Sequence, residues 1–148
     1  MFIKQILANQ VLLTGATAWL IAQLLKVILN YSMNRRLNLE RFVGSGGMPS
    51  SHAAFIMALS TRVGLKEGWN SSLYGVTLGV ALIVMYDAAG VRRAAGKQAK
   101  ILNEIADEIF HHGELKQQKL KELVGHTPYE VIVGALLGIL IALLLYYY

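Results

Sequence analysis

The sequence predicts an all-α, integral membrane four-helix bundle with an amphipathic helical segment between the third and fourth helices, built as a single membrane domain over residues 1–148. Three observations carry that expectation. The chain is 55% hydrophobic and only 16% charged, with its apolar residues gathered in blocks. Two blocks, Val11 to Leu29 with Lys26 as its one charge and Pro128 to Tyr148 with Glu130 as its one charge, are each long enough to span a bilayer core. No stretch shows the alternation of a strand, and bare backbone is not tolerated at membrane depth.

The elements follow in chain order. Lys4 ahead of apolar residues, with Ala16-Thr17-Ala18 as a small-x-small site, has the outline of a cleaved leader. The stronger apolar run, Trp19 to Leu25, lies beyond that site, so a retained first helix is expected near 9 to 31. A polar loop leads to about Met48. The second helix is expected near 49 to 65, a weaker span because it is short and holds His52 and Arg62. Pro49, without an N–H, fits its first turn. After a turn around Gly68 to Asn70, Ser71 or Ser72 caps a third helix that carries Asp87 near its end. Ile101, Leu102, Ile105 and Ile109 then recur at helical spacing, with Glu104, Asp107 and Glu108 on other faces, which predicts an amphipathic helix on the membrane surface or over the site. Gly113 breaks it, and Glu114 to Val124 forms a second short amphipathic piece. Thr127 caps the fourth helix. Ser72, Gly75 and Gly79 on the third helix, and Gly134 and Gly138 on the fourth, are small residues suited to close helix packing, and Tyr146 to Tyr148 read as an interfacial anchor.

Charge sets the expected topology. Of the net +5, Arg35, Arg36 and Arg41 lie between the first and second helices, while Arg92, Arg93, Lys97, Lys100, Lys116, Lys119 and Lys121 lie between the third and fourth. By the positive-inside rule both basic loops face the cytoplasm of a bacterial cytoplasmic membrane. The basic residues flank apolar segments without aromatic interleaving, which argues against nucleic acid as a partner and for a membrane with anionic headgroups. With no cysteine, neither a disulfide framework nor a thiolate metal site is available.

The chemistry concentrates in Gly44 to Ala54, where a glycine-loosened polar segment with His52 abuts an apolar run. Ser50 and Ser51 place hydroxyls beside helix-start N–H groups that lack intrahelical partners, a setting that attracts anions. Up-and-down connectivity brings Lys26, His52, the end of the third helix with Asp87, Arg92 and Arg93, and the start of the fourth with His126 and Glu130 to one membrane face. Charged groups in membrane helices are costly, so a convergent set is a functional candidate. Each member also has a plainer account. Ser50 and Ser51 are ordinary caps, Lys26 snorkels, and Arg92 and Arg93 anchor the loop. Glu130 sits where the dipole favours an acid, whereas Asp87, in a last helical turn, opposes the dipole and needs a partner. His111 and His112, with Asp107 and Glu108 four residues earlier, have metal-ligand spacing, but a solvated helix end accounts for them better, and no metal is expected.

Three blocks together carry a resemblance. Gly46-Gly47-Met48-Pro49-Ser50-Ser51-His52, then Tyr86-Asp87-Ala88-Ala89-Gly90-Val91-Arg92-Arg93 with Asn103, then Gly125-His126-Thr127-Pro128 with Glu130, resemble the divergent bacterial and plastid branch of the type 2 phosphatidic acid phosphatase and vanadium haloperoxidase superfamily. The resemblance implies His126 as nucleophile on phosphorus, Glu130 as its orienting acid, and His52 as general acid to the leaving group. It also implies Ser50 and nearby N–H groups as phosphate ligands, with no metal and no other cofactor required. A phosphohistidine would split the displacement into two steps. The chain departs from the superfamily at Met33, where the first motif has arginine, and at Lys119 and Leu120, where the third has Ser-Arg. Arg92, Arg93 and Lys97 are the candidate replacements, with Asp87 available to orient a guanidinium or a histidine.

The function expected is metal-independent hydrolysis of a lipid phosphate or pyrophosphate. The resemblance points to phosphatidylglycerophosphate, phosphatidic acid or a polyprenyl pyrophosphate as substrate, with the site facing the cytoplasm and homo-oligomers allowed. The alternatives are a non-catalytic membrane protein that binds phosphate or anionic lipid headgroups, and a small transport subunit.

Overall fold

The computed structural model of the protein describes residues 2–34, 47–109 and 126–148. Six helices follow in order: α1 (Phe2–Leu7), α2 (Gln10–Asn34), α3 (Ser51–Glu67), α4 (Ser72–Ala89), α5 (Val91–Ile109) and α6 (Pro128–Tyr147). No strand occurs among the described residues. The short α1 was not anticipated. It ends at Asn9, whose side-chain carbonyl accepts from the Val11 N–H at 3.0 Å and the Leu12 N–H at 3.3 Å and so starts α2 afresh.

Three helical stretches, Gln10–Ser32, Ser72–Ala106 and Pro128–Tyr147, are long and apolar enough to cross a membrane. The expected fourth span, α3, is not among them. It is the most enclosed helix instead, packed on α2, α4 and α6, while α2 also packs on α6 and α4 touches α6. Its composition explains the position, because Ala53, Ala54, Ala58 and Ser60 let neighbouring backbones approach closely. Opposite them α6 presents Gly134 and Gly138. A Cβ on Gly134 would fall inside van der Waals contact with the Ser50 carbonyl oxygen, and one on Gly138 would do the same to the Ala54 oxygen. Gly75 and Gly79 behave differently from what their spacing suggested. Nothing lies within 4 Å of where their Cβ atoms would stand, because α4 turns Ala81 and Ala88 inward.

The contacts also fix helix directions. Ser50 meets Glu130, Ala54 meets Gly138 and Arg62 meets Leu145, so α3 and α6 run parallel. Gln10 meets Arg62 and Gly15 lies against the Phe55 ring, so α2 runs antiparallel to both. Thr77 lies by Ser60 and Ala88 by Ala53, so α4 is antiparallel as well. The ends of α2 and α4 and the starts of α3 and α6 therefore share one end of the molecule.

The remaining joints follow local chemistry. Gly68, at φ 93°, closes α3, and Ser71 caps α4 by accepting from the Tyr74 N–H at 3.2 Å. At Gly90 the ladder of hydrogen bonds continues, with Gly90 N–H to Tyr86 O and Ala94 N–H to Gly90 O both at 2.9 Å. The amphipathic α5 exposes Ile101, Leu102 and Ile105 and buries Asn103. Gly113 and the piece from Glu114 to Val124 lie outside the described residues.

Candidate functional site

The starts of α3 and α6 lie side by side. Pro49 does not occupy the first turn of α3 as expected but precedes the capping residue, Ser50. The Ser50 hydroxyl accepts from the Ala53 N–H at 3.4 Å, and the Ser50 N–H donates to the Glu130 carbonyl at 3.0 Å. One residue thus closes α3 and ties it to α6. Its hydroxyl proton can still be donated, and the neighbouring Ser51 is buried with it. Two parallel helix starts bring about half a positive charge each to the same place.

On α6 the cap and the candidate nucleophile share one carboxylate. Thr127 caps the helix by accepting from the Glu130 N–H at 3.3 Å, and Glu130 Oε2 accepts in return from the Thr127 N–H at 3.0 Å. The same oxygen lies 3.1 Å from Nδ1 of His126, which is 3% exposed. An acid pinned by a capping box cannot swing away, so it holds the imidazole as well. With Nδ1–H donated to Glu130, the ring's lone pair resides on Nε2.

Other expected site residues fall around this core. Lys26, only 2% exposed, lies roughly four turns along α2 from Gln10, which meets Arg62, and the antiparallel course of α2 carries it to the end where α3 starts. Ala53, Ala88 and Val131 pack together with Met85 and Ala89, which brings the end of α4, with the half-buried Asp87, to both helix starts. His52 is exposed on the first turn of α3. Lys26, His52 and Asp87 are each engaged with neighbours. Arg93 and Lys97 stand exposed on the first two turns of α5, and no ion pair joins them to His126 or Glu130. Arg92 belongs to the same turn, with its side chain outside the described set. Arg35, Arg36, Arg41, His111 and His112 also lie outside the described residues, as do the side chains of Asp107 and Glu108. Among the described residues no group of three or more His, Cys, Asp or Glu could hold a metal ion.

Among the buried polar residues, sequence reading missed Gln23 and gave Arg62 no structural role. Gln23 lies three residues before Lys26 on the same inward face of α2, and that spacing in an apolar run was a usable signal. Arg62, 7% exposed, lies near the other end of α3. It donates from Nη1 to the Leu145 carbonyl at 3.0 Å and from Nη2 to Gln10 Oε1 at 2.8 Å, and its guanidinium sits 5.0 Å from the centroid of the Tyr146 ring. Its partners come from both neighbouring helices, so nothing local to the sequence announces them.

The family model described as the divergent PAP2 family matches residues 7–141. The chain is also similar to a Bacillus subtilis (strain 168) protein described as the uncharacterized membrane protein YuiD. The two are 41% identical over 155 residues, an alignment covering 97% of this chain and 98% of that one. No solved structure matches the chain.

Proposed function

The chain belongs to the divergent PAP2 family, and on that premise we propose that it is an integral membrane phosphatase acting on a lipid phosphate or pyrophosphate through a phosphohistidine. The observation that carries this reading is the buried imidazole of His126, 3.1 Å from the partly exposed Glu130 carboxylate, beside a second, parallel helix start. On this reading α2, α3, α4 and α6 form a four-helix membrane bundle, with α5 the amphipathic segment over its site end.

In the first step His126 Nε2 attacks phosphorus and the ester P–O bond breaks. His52 gives its proton to the departing oxygen, and Glu130 carries the imidazolium's charge through Nδ1–H. In the second step water attacks the phosphohistidine, the P–N bond breaks, and inorganic phosphate leaves as His52 takes the water's proton. Fixed positive charge stabilises the equatorial oxygens in both steps. It comes from the buried Lys26, the two helix starts with Ser50 and Ser51, and the guanidinium groups of Arg92 and Arg93 with Lys97 beside them. Asp87, at the end of α4, orients a cation or His52. No metal enters the scheme. The lipid is phosphatidylglycerophosphate, phosphatidic acid or a polyprenyl pyrophosphate, with the site on the cytoplasmic face of a bacterial membrane.

Purified protein in detergent, assayed for phosphate release from those three lipids with EDTA present, tests the reaction. Release should occur in the parent and be lost in His52→Ala and His126→Ala with helicity intact. Phosphate binding without release from any lipid would instead establish the non-catalytic alternative. A cysteine at Asn38, in a chain that otherwise has none, should label from the cytoplasmic side.

A further inference from the structure

We infer that Arg62 is a positioning residue for His126, acting from the far end of the α3–α6 pair by setting the register of α6 on α3. The inference rests on the proposed role of the His126 end, and its test is readable without turnover.

The interface between the two helices is made of small residues. Ser50, Ala54 and Ala58 face Gly134, Gly138 and Ala142, and the two glycines seat against the Ser50 and Ala54 carbonyls, which excludes a slip of a whole residue but not a smaller shift or tilt. Van der Waals contact opposes such small shifts only weakly, and between membrane helices no hydrophobic term adds to it. Direction comes from hydrogen bonds. Ser50 N–H to the Glu130 carbonyl clamps α6 to α3 at the site end, and Arg62 Nη1 to the Leu145 carbonyl clamps it at the other.

The Arg62 clamp is built to stay in place. Its Nη2 bond to Gln10 brings the start of α2 into the same joint, and the Tyr146 ring covers the guanidinium face. The C-terminal ends of two parallel helices supply the negative potential that a buried cation needs. Among the described residues no carboxylate makes an ion pair with it, so its bonds go to groups that report helix position. Helix α6 has 20 residues and is about 30 Å long, and an α-helix moves along its axis nearly as a rod. A small axial shift or tilt at the Leu145 end is therefore passed along α6. That would carry Glu130, and the imidazole it holds, away from the start of α3.

The test uses the full chain with 15N-labelled histidine in detergent, at one fixed pH. The His126 ring signal is assigned by its loss in His126→Gln, and Glu130→Gln marks the shift of an imidazole that has lost its carboxylate. In Arg62→Gln the signal should broaden or move towards the Glu130→Gln position. Arg62→Lys, which keeps the charge but not the fork, should fall between. Where phosphate release is measurable, Arg62→Gln should lower kcat by about tenfold or more, with KM for the lipid nearly unchanged. Gln10→Ala removes a single bond from the joint and should move the signal in the same direction by less. It also serves if Arg62→Gln does not fold. An unchanged His126 signal in folded Arg62→Gln, or in Gln10→Ala where only that variant folds, overturns the inference. If the parent releases no phosphate while the signal moves as stated, the proposed reaction fails and the register role of Arg62 stands.

Discussion

The two ends of the α3–α6 pair solve opposite versions of one problem. Parallel packing puts the N-termini of α3 and α6 at one end and their C-termini at the other. This pair therefore carries partial positive charge at one end and partial negative at the other, offset in part by the antiparallel α2 and α4. At the far end buried Arg62 answers it directly, with hydrogen bonds to Leu145 and Gln10 and a tyrosine face over the guanidinium. At the His126 end the groups are more numerous and include the half-buried Asp87 at the end of α4. Glu130 is the acid at the start of α6, yet one of its oxygens already serves the Thr127 N–H and the imidazole, and a buried lysine adds positive charge to the same neighbourhood. A closed joint holds shape, whereas on the proposed reading the other end, with two helix starts and Lys26, attracts an anion. On that reading, chemistry belongs to one end and rigidity to the other.

Several substitutions would break or sharpen this contrast, and the largest effect belongs to the nucleophile. His126→Ala should reduce phosphate release by about a thousandfold or more while leaving the thermal midpoint nearly unchanged, since an activated nucleophile has no substitute. Gly134→Leu acts on the joint between the ends. Its side chain would meet the Ser50 backbone, and a loss of about 3 kcal/mol should appear as a lower midpoint in thermal unfolding. Replacing Arg92 and Arg93 together with Gln should weaken product inhibition by phosphate by about tenfold, with stability unaltered. Unchanged inhibition would remove both from the phosphate site. Thr127→Ala removes one half of the capping box and should cost about 1 kcal/mol of stability, with some loss of rate because Glu130 is less firmly held. Smallest of all, Gly79→Ala should leave the midpoint unchanged or raise it slightly, because the added methyl meets no atom.

The sequence made the convergence legible but not its mechanics. Helix order, the caps at Ser71 and Thr127, the turn after Gly68 and the four-residue spacing of His126 and Glu130 all follow from local rules that the structure obeys. The family resemblance, drawn from three separated blocks, agrees with the match over residues 7–141. Other features depend on which face a helix turns towards its neighbours. Gly75 and Gly79 have the same spacing as Gly134 and Gly138, yet only the second pair meets another backbone. Pro49 looked like a first-turn residue because the Ser50 bond to Glu130, 80 positions away, cannot be seen from the tetrapeptide. Arg62 appeared as a charge that weakened a membrane span, and its partners lie 52 and 83 residues distant. The sharing of one Glu130 oxygen between cap and histidine is likewise a matter of side-chain direction, since spacing brings the groups near without saying which atom serves both.

The central claim is that His126, held by Glu130, takes the phosphoryl group from a lipid. Acid-sparing quench during turnover, followed by peptide mass analysis, tests it most directly. A phosphoryl group should appear on the peptide containing His126, be labile to acid, and be absent from His126→Ala. Phosphate release with no phosphoryl group on that peptide at any quench time would contradict it.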